Sequence, residues 1–181
     1  VPVLDHDGKV RRRSIARCDR GDLPAHIPTL AELFETCGTD YHLSLDVKDA
    51  GAAEPVLVVA RDAGFSLPHL WLCHHDWEQV AAWRELADDV RLVDSTRLKR
   101  IREGTERRAA RLAEAGIDAV NMHHTDWSGG LTTLFHRFEV FTFGWDAQHG
   151  RILDALLHMG IDGVYSDHVD RMVESLQKAD R

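Results

Sequence analysis

A six-residue unit occurs twice in the second half of the chain and constrains the fold more than any other feature. Ala115-Gly116-Ile117-Asp118-Ala119-Val120 recurs as Met159-Gly160-Ile161-Asp162-Gly163-Val164. In each copy a helical run ends at a glycine, an isoleucine packs the helix end and an apolar run begins. That is the helix-to-strand joint of a parallel α/β fold. The rest of the sequence keeps the alternation. Strands are predicted at 43–49, 70–73, 90–93, 119–122, 140–143 and 163–165. Helices are predicted from Thr29 to Gly38, 54–63, from Asp76 to about Leu86, 97–115 with a break at Gly104-Thr105, between the later strands, and after Asp167. Thr29 with Glu32, and Asp76 with Gln79, have the capping-box spacing of helix starts.

Strict βα alternation allows a doubly wound sheet or a barrel. The glycine-rich phosphate turn of a dinucleotide-binding sheet is missing. The predicted strands also end in polar side chains: Asp46 and Lys48, His74 and His75, Asp94 and Ser95, Asn121 and His123, Trp145 and Asp146, Ser166 and Asp167. Chemistry gathered at the carboxyl ends of strands is the plan of (βα)8 enzymes. The expected fold is therefore a (βα)8 TIM barrel over residues 1–181, incomplete at its N-terminal end. Only six regular strands are visible, and such barrels take ~250 residues. Val1-Pro2-Val3-Leu4 opens on an apolar strand without an initiator Met, so the natural protein is expected to begin upstream.

With 181 residues, of which 44% are hydrophobic and 29% charged, the chain fits one globular domain. A formal net charge of -8 argues against a nucleic-acid partner. The basic runs Arg11 to Arg13 and Arg97 to Arg111 read as solvated faces. Three scattered cysteines make neither a disulfide framework nor a zinc site and favour a reducing, cytoplasmic location. No apolar stretch approaches the ~20 residues of a membrane-spanning helix.

Residues 43–49, Leu-Ser-Leu-Asp-Val-Lys-Asp, carry the densest chemistry. As a strand they place Leu43, Leu45 and Val47 on one face and Ser44, Asp46 and Lys48 on the other. In a central strand the carboxylate and the ammonium would be drawn toward a low-dielectric interior, where a metal ion or phosphate would compensate them. A plain ion pair is the bland alternative. His6, at the end of the first strand before an Asp7-Gly8 turn, reads as an ordinary loop histidine. His74-His75 and His123-His124 resemble metal ligands. Neighbours on a strand point to opposite faces, however, so at most one of each pair faces the lumen; Asn121 and His123 are the lumen candidates. Trp145 is positioned to stack on substrate or to plug the barrel mouth, Asp167 to cap the final helix, and Trp71, Trp77 and Trp83 to pack.

Val-Pro-Val-Leu-Asp-His-Asp, Ile-Pro-Thr-Leu-Ala-Glu-Leu-Phe-Glu, Leu-Ser-Leu-Asp-Val-Lys and Gly-Ile-Asp-Gly-Val-Tyr-Ser-Asp, in that order and spacing, resemble the glycerophosphodiester phosphodiesterase family from residue 1 to about residue 170. The resemblance implies a metal-dependent TIM-barrel hydrolase of lipid metabolism. It would cleave a small-molecule phosphodiester into glycerol phosphate and an alcohol with one Mg2+ or Ca2+. It also implies His6 as general acid/base, Asp46 as metal ligand in place of the usual Glu, and Lys48 stabilising phosphoryl charge; the substrate-lining candidates Asn121, His123 and Trp145 come from strand alternation and strand-end position. The family's His-Arg-Gly and Glu-x-Asp segments would precede Val1, and its Trp-Thr-Val-Asn strand stands here as Phe143-Gly144-Trp145-Asp146. An inactive member that binds phosphoesters or a protein is the alternative, and a metal-dependent sugar isomerase would need more lumen carboxylates. A homo-oligomer could cover exposed barrel edges.

Overall fold

The computed structural model describes residues 2–4, 10–12 and 18–179. Strands β1 (Pro2–Leu4) and β2 (Val10–Arg12) pair antiparallel, Pro2 opposite Arg12 and Leu4 opposite Val10. His6 and the Asp7-Gly8 turn lie outside the described residues.

Six parallel strands follow: β3 (Leu43–Asp46), β4 (Leu70–His74), β5 (Arg91–Thr96), β6 (Ala119–His123), β7 (Phe141–Trp145) and β8 (Gly163–Val164). Their order in the sheet is their order in the chain. A doubly wound sheet reverses its strand order at a switch point, so this topology excludes that alternative. The sheet curls. Trp71 of β4 meets Phe143 of β7 with ring centroids 5.1 Å apart, although two strands separate them. The Ser44 hydroxyl on β3 bonds the Tyr165 hydroxyl, just past β8, at 2.9 Å. The result is a six-stranded half-barrel.

Helices α1 (Leu30–Cys37), α2 (Ala53–Asp62), α3 (Trp77–Ala82), α4 (Thr105–Glu114), α5 (Gly129–His136), α6 (Gly150–His158) and α7 (Val169–Ala179) alternate with these strands. Thr29 opens α1 with a reciprocal capping box to Glu32. The side chain of Asp76 accepts from the backbone N–H groups of Glu78 and Gln79 to open α3. Alternation splits each strand: Leu72, Leu92, Val120 and Met122 are fully buried in one apolar layer with Leu57, Val80, Leu112, Phe135 and Leu156 of the helices. The lumen holds a smaller cluster of Cys73, Val93, Ala119 and Phe143 flanked by Trp71 and Tyr165. Each large apolar side chain buried is worth ~1.5–3 kcal/mol, so the outer layer dominates the folding energy and leaves the rim to chemistry.

The repeated unit has a structural basis. Gly116 (φ 66°) and Gly160 (φ 78°) are left-handed, and each closes a Schellman cap. Ile117 N–H donates to the Leu112 carbonyl at 2.8 Å and Ile161 N–H to that of Leu156 at 3.2 Å. Both isoleucines are buried. The next residue grips the neighbouring strand: Asp118 donates its N–H to the Leu92 carbonyl, and its Oδ2 accepts the Leu92 N–H at 2.9 Å. Asp162 does the same to Thr142, accepting its N–H at 2.7 Å. Glycine turns the chain, isoleucine anchors it, and aspartate sets the register. The same cap ends α5 with Glu139 in the left-handed position (φ 59°) and Val140 buried behind it.

The stretch 97–115 is less helical than its composition predicts, since α4 begins only at Thr105 and a single 3-10 turn covers Leu98–Arg100. Nor is this basic run a solvated face throughout. Arg108 is 7% exposed and is bound by Asp94 and Glu103, each at 2.7 Å.

Candidate functional site

The carboxyl ends of the strands form one rim. Trp71, Cys73, Ser44 and Phe143 point into the lumen, and counting by twos along each strand places Asp46, His75, Ser95, Asn121, His123 and Trp145 on the lumen side of that rim. Two groups of chemistry stand there, at the ends of β3 and of β6 and β7.

At β3, Asp46 and Lys48 form an ion pair with each other. Their side chains are 58% and 81% exposed, so the pair sits in water at the rim and not in the low-dielectric interior that strand alternation predicts. The reason is position: β3 is the edge of the sheet among the described residues and ends at Asp46, and Lys48 lies beyond it. Below them Ser44 touches Cys73 at 3.3 Å and Tyr165. Burial pushes the Cys73 thiol up to about 11, which makes it a packing residue and not a nucleophile.

The second group is denser. The sheet ends at His123 and a 3-10 turn, His124–Asp126, begins at once. That break defeats the opposite-face expectation for His123 and His124, whose rings lie 4.3 Å apart on the same side. Thr125 donates its backbone N–H to His123 Nδ1 at 3.2 Å, so the ring proton sits on Nε2, which faces Asp146 Oδ2 at 3.1 Å. Asp146 has φ 61°, a left-handed backbone that aspartate tolerates better than most residues. The hydrogen bonds from His123 and Gln148 hold the Asp146 carboxyl below the usual carboxylate range. Burial, and then the neighbouring His123, hold His124 below the ordinary imidazole range. Ligand atoms of His123, His124 and Asp146 all lie within 4.8 Å of one another, and no other trio of metal-binding side chains among the described residues does so.

Trp145 is fixed between the His123 ring, 4.6 Å away and perpendicular, and the guanidinium of Arg97 at 5.7 Å. Arg97 in turn is held by Asp126 at 2.5 Å. Trp145, Asp146, Gln148 and Asp167 line a groove of about 500 Å³ on the rim. Asn121 lies one pleat below His123. It is 7% exposed, its Nδ2 donates weakly to Ser95, and its Oδ1 is buried with no partner among the described residues. A larger cavity of about 640 Å³ opens at the other end of the strands, lined by Trp71, Arg91, Phe141 and Tyr165. It contains none of the rim groups.

No family model and no curated protein matches the sequence. Solved structures do. A protein assigned as a glycerophosphoryl diester phosphodiesterase from Silicibacter pomeroyi superposes with TM-score 0.69 at 20% identity over 83% of this chain and 56% of that one. One assigned as a glycerophosphodiester phosphodiesterase from Galdieria sulphuraria gives 0.70 at 15% identity over 99% and 77%. The Oleispira antarctica phosphodiesterase in complex with the product sn-glycerol-3-phosphate gives 0.62 at 12% identity over 83% and 61%. The chain is structurally similar to glycerophosphodiester phosphodiesterases. Against the Silicibacter structure it spans little more than half of that protein's length.

Within that fold the structure brings His123 and Trp145 into contact, with Asn121 below them, and leaves Asp46 and Lys48 three strands away at the edge, roughly 14 Å along the sheet. His124, Asp146 and Arg97 escaped sequence reasoning. His124 was masked by strand alternation, and Arg97 by the helical look of its surroundings; Asp146 carried a signal, as a carboxylate at a strand end. Asp167 stands two residues before α7, and its Oδ2 accepts from Gln148 Nε2 at 3.0 Å. His74 turns away from the lumen onto Trp83, and Trp83 is buried as expected.

Proposed function

We propose that the chain is the greater part of a (βα)8 phosphodiesterase that hydrolyses glycerophosphodiesters to glycerol phosphate and an alcohol. The observation that carries this reading is a coincidence of two independent resemblances. The ordered motifs of the sequence and the superposed folds point to the same enzymes, and one of those folds is in complex with glycerol-3-phosphate. A shared barrel alone would not carry it, because this fold hosts many chemistries.

In this reading Lys48 offers positive charge to the equatorial phosphoryl oxygens, where charge grows in the transition state. His6 exchanges the proton with the attacking or leaving oxygen. Asn121 Oδ1 accepts from a substrate hydroxyl, His123 supports the phosphoryl group, and Trp145 covers the alcohol. The resemblance also implies Mg2+ or Ca2+ on Asp46. Hard cations take six or more oxygens, or an octahedral shell. Asp46 is a single exposed carboxylate already bound to Lys48, so the described residues do not fit such an ion, and no step is assigned to it.

The same poverty of ligands at Asp46 favours a second reading, an inactive domain that binds phosphoesters. Hydrolysis of a chromogenic diester and of glycerophosphocholine, with and without Mg2+ or Ca2+, separates the two. Turnover lost in His6→Ala and Asp46→Ala is the expected result. Folded protein that binds glycerol-3-phosphate without turnover supports the second reading. Folded protein that neither turns over nor binds overturns both.

A further inference from the structure

We propose that His123, His124 and Asp146 form a site for a borderline transition-metal ion of the Zn2+ class, separate from Asp46 and independent of the phosphodiesterase reading. Two imidazoles and one carboxylate are the donors that Zn2+, Co2+ and Ni2+ prefer, and they are a poor set for Mg2+ or Ca2+, which want oxygen alone.

The geometry supports the assignment beyond the donor types. Two ligand atoms at ~2.0–2.1 Å from a tetrahedral ion are ~3.3 Å apart. His123 Nε2 and Asp146 Oδ2 are already 3.1 Å apart. The His124 ligand atom lies within 4.8 Å of both, at most about 1.5 Å beyond the tetrahedral spacing. His123 is oriented for the task. Its Nδ1 lies 2.8 Å from the Thr125 hydroxyl, an oxygen that can accept the Nδ1 proton when an ion takes Nε2. A metal-ligating histidine is commonly fixed in this way through its other nitrogen. Gln148 Nε2 holds the second oxygen of Asp146 at 3.4 Å. In the metal-free protein the His123 Nε2 proton bridges to Asp146. Ligation through Nε2 moves that proton to Nδ1, so His123 binds as a neutral imidazole in its other tautomer.

Three protein ligands leave a fourth position open. Asp146 and Trp145 both line the rim groove, so that position faces the groove, as it does in zinc sites that hold water or a ligand oxygen. Cys73 of β4 and His75, just past that strand's end, lie two strands from β6 and do not belong to the trio.

Co2+ is the probe, because its visible absorption reports the donor set without any turnover. Titration of the full chain is expected to give saturable, one-to-one absorption without the intense bands of thiolate ligation. One equivalent of Zn2+ should remove it, and excess Mg2+ should not. His124→Ala and Asp146→Asn should each weaken Co2+ binding at least about tenfold. Asp46→Asn should bind as the wild type does. Absence of saturable binding, binding unchanged in both His124→Ala and Asp146→Asn, or displacement by Mg2+ overturns the proposal. Because Asp46→Asn removes the partner of Lys48, on which the hydrolysis reading depends, and spares this site, failure of the metal site and failure of the phosphodiesterase reading are read separately.

Discussion

Asp94 gives the sharpest stability prediction. It sits on β5 with its side chain on the helix side of the sheet, fully buried. One oxygen accepts from Arg108 at 2.7 Å, and the other, Oδ1, is buried with no partner among the described residues. Burial disfavours the charge of Arg108, but Glu103 and Asp94 together outweigh it and hold the guanidinium protonated. Arg108 therefore divides its charge between two carboxylates, and at Asp94 desolvation prevails, raising the carboxyl to about 6. The unfolded value is about 3.9. Between those two values the folded state holds a proton that the unfolded state has lost. The contribution is thus fully present below about pH 4 and is lost as pH rises through 6. Two units at 1.36 kcal/mol each make it about 3 kcal/mol. Asp94→Asn removes this term and leaves the other titrating groups in place. Urea denaturation of both proteins at pH 4, 5, 6 and 7 should therefore show the difference in stability moving by about 3 kcal/mol in favour of the variant from the lowest pH to the highest. Parallel profiles would refute the reasoning and mean that Arg108 fully compensates the buried charge.

Asp118→Ala should cost roughly 2–3 kcal/mol in the same assay. It strips the partner from the Leu92 N–H and from Arg91, while Arg84 keeps its carbonyl partners. Glu139→Gly should stabilise the fold by about 0.5–1 kcal/mol, since glycine adopts the left-handed cap without strain and the glutamate side chain is exposed; a lower thermal midpoint would contradict it. If the chain hydrolyses diesters, Trp145→Ala should lower kcat/KM about 2- to 10-fold, the worth of one aromatic contact, with a far-UV spectrum unchanged.

Much of this architecture was readable from the residues, for local reasons. The Gly-Ile-Asp joints work through backbone geometry within a few residues, so two copies in the sequence announce two joints in the fold. Thr29 and Asp76 cap helices by contacts two or three residues long, and they do so in the structure. The alternation of Leu43, Leu45 and Val47 with polar neighbours gave a strand, but could not say that this strand is an edge, which decides how wet Asp46 and Lys48 are. Arg108 looked solvated because its partner Asp94 lies on another element. His124 was misread because a rule for strands was carried one residue past the strand's end. Glu139 could not be recognised as a helix stop, because the usual signal there is glycine.

The bond between the Ser44 and Tyr165 hydroxyls has a consequence for how the rim is made. Every strand of the large sheet pairs with its neighbour in sequence, so the array can grow one βα unit at a time across short loops, as a solenoid does. The hydroxyl pair instead closes a loop of 121 residues, the kind of contact that carries the largest chain-entropy cost and forms late. Until it forms, nothing in the nearest-neighbour pairing sets how tightly the sheet curls. The distance across the rim from Asp46 to His123 is therefore fixed at the end of folding, by two small polar groups, one of them a single pleat below Asp46.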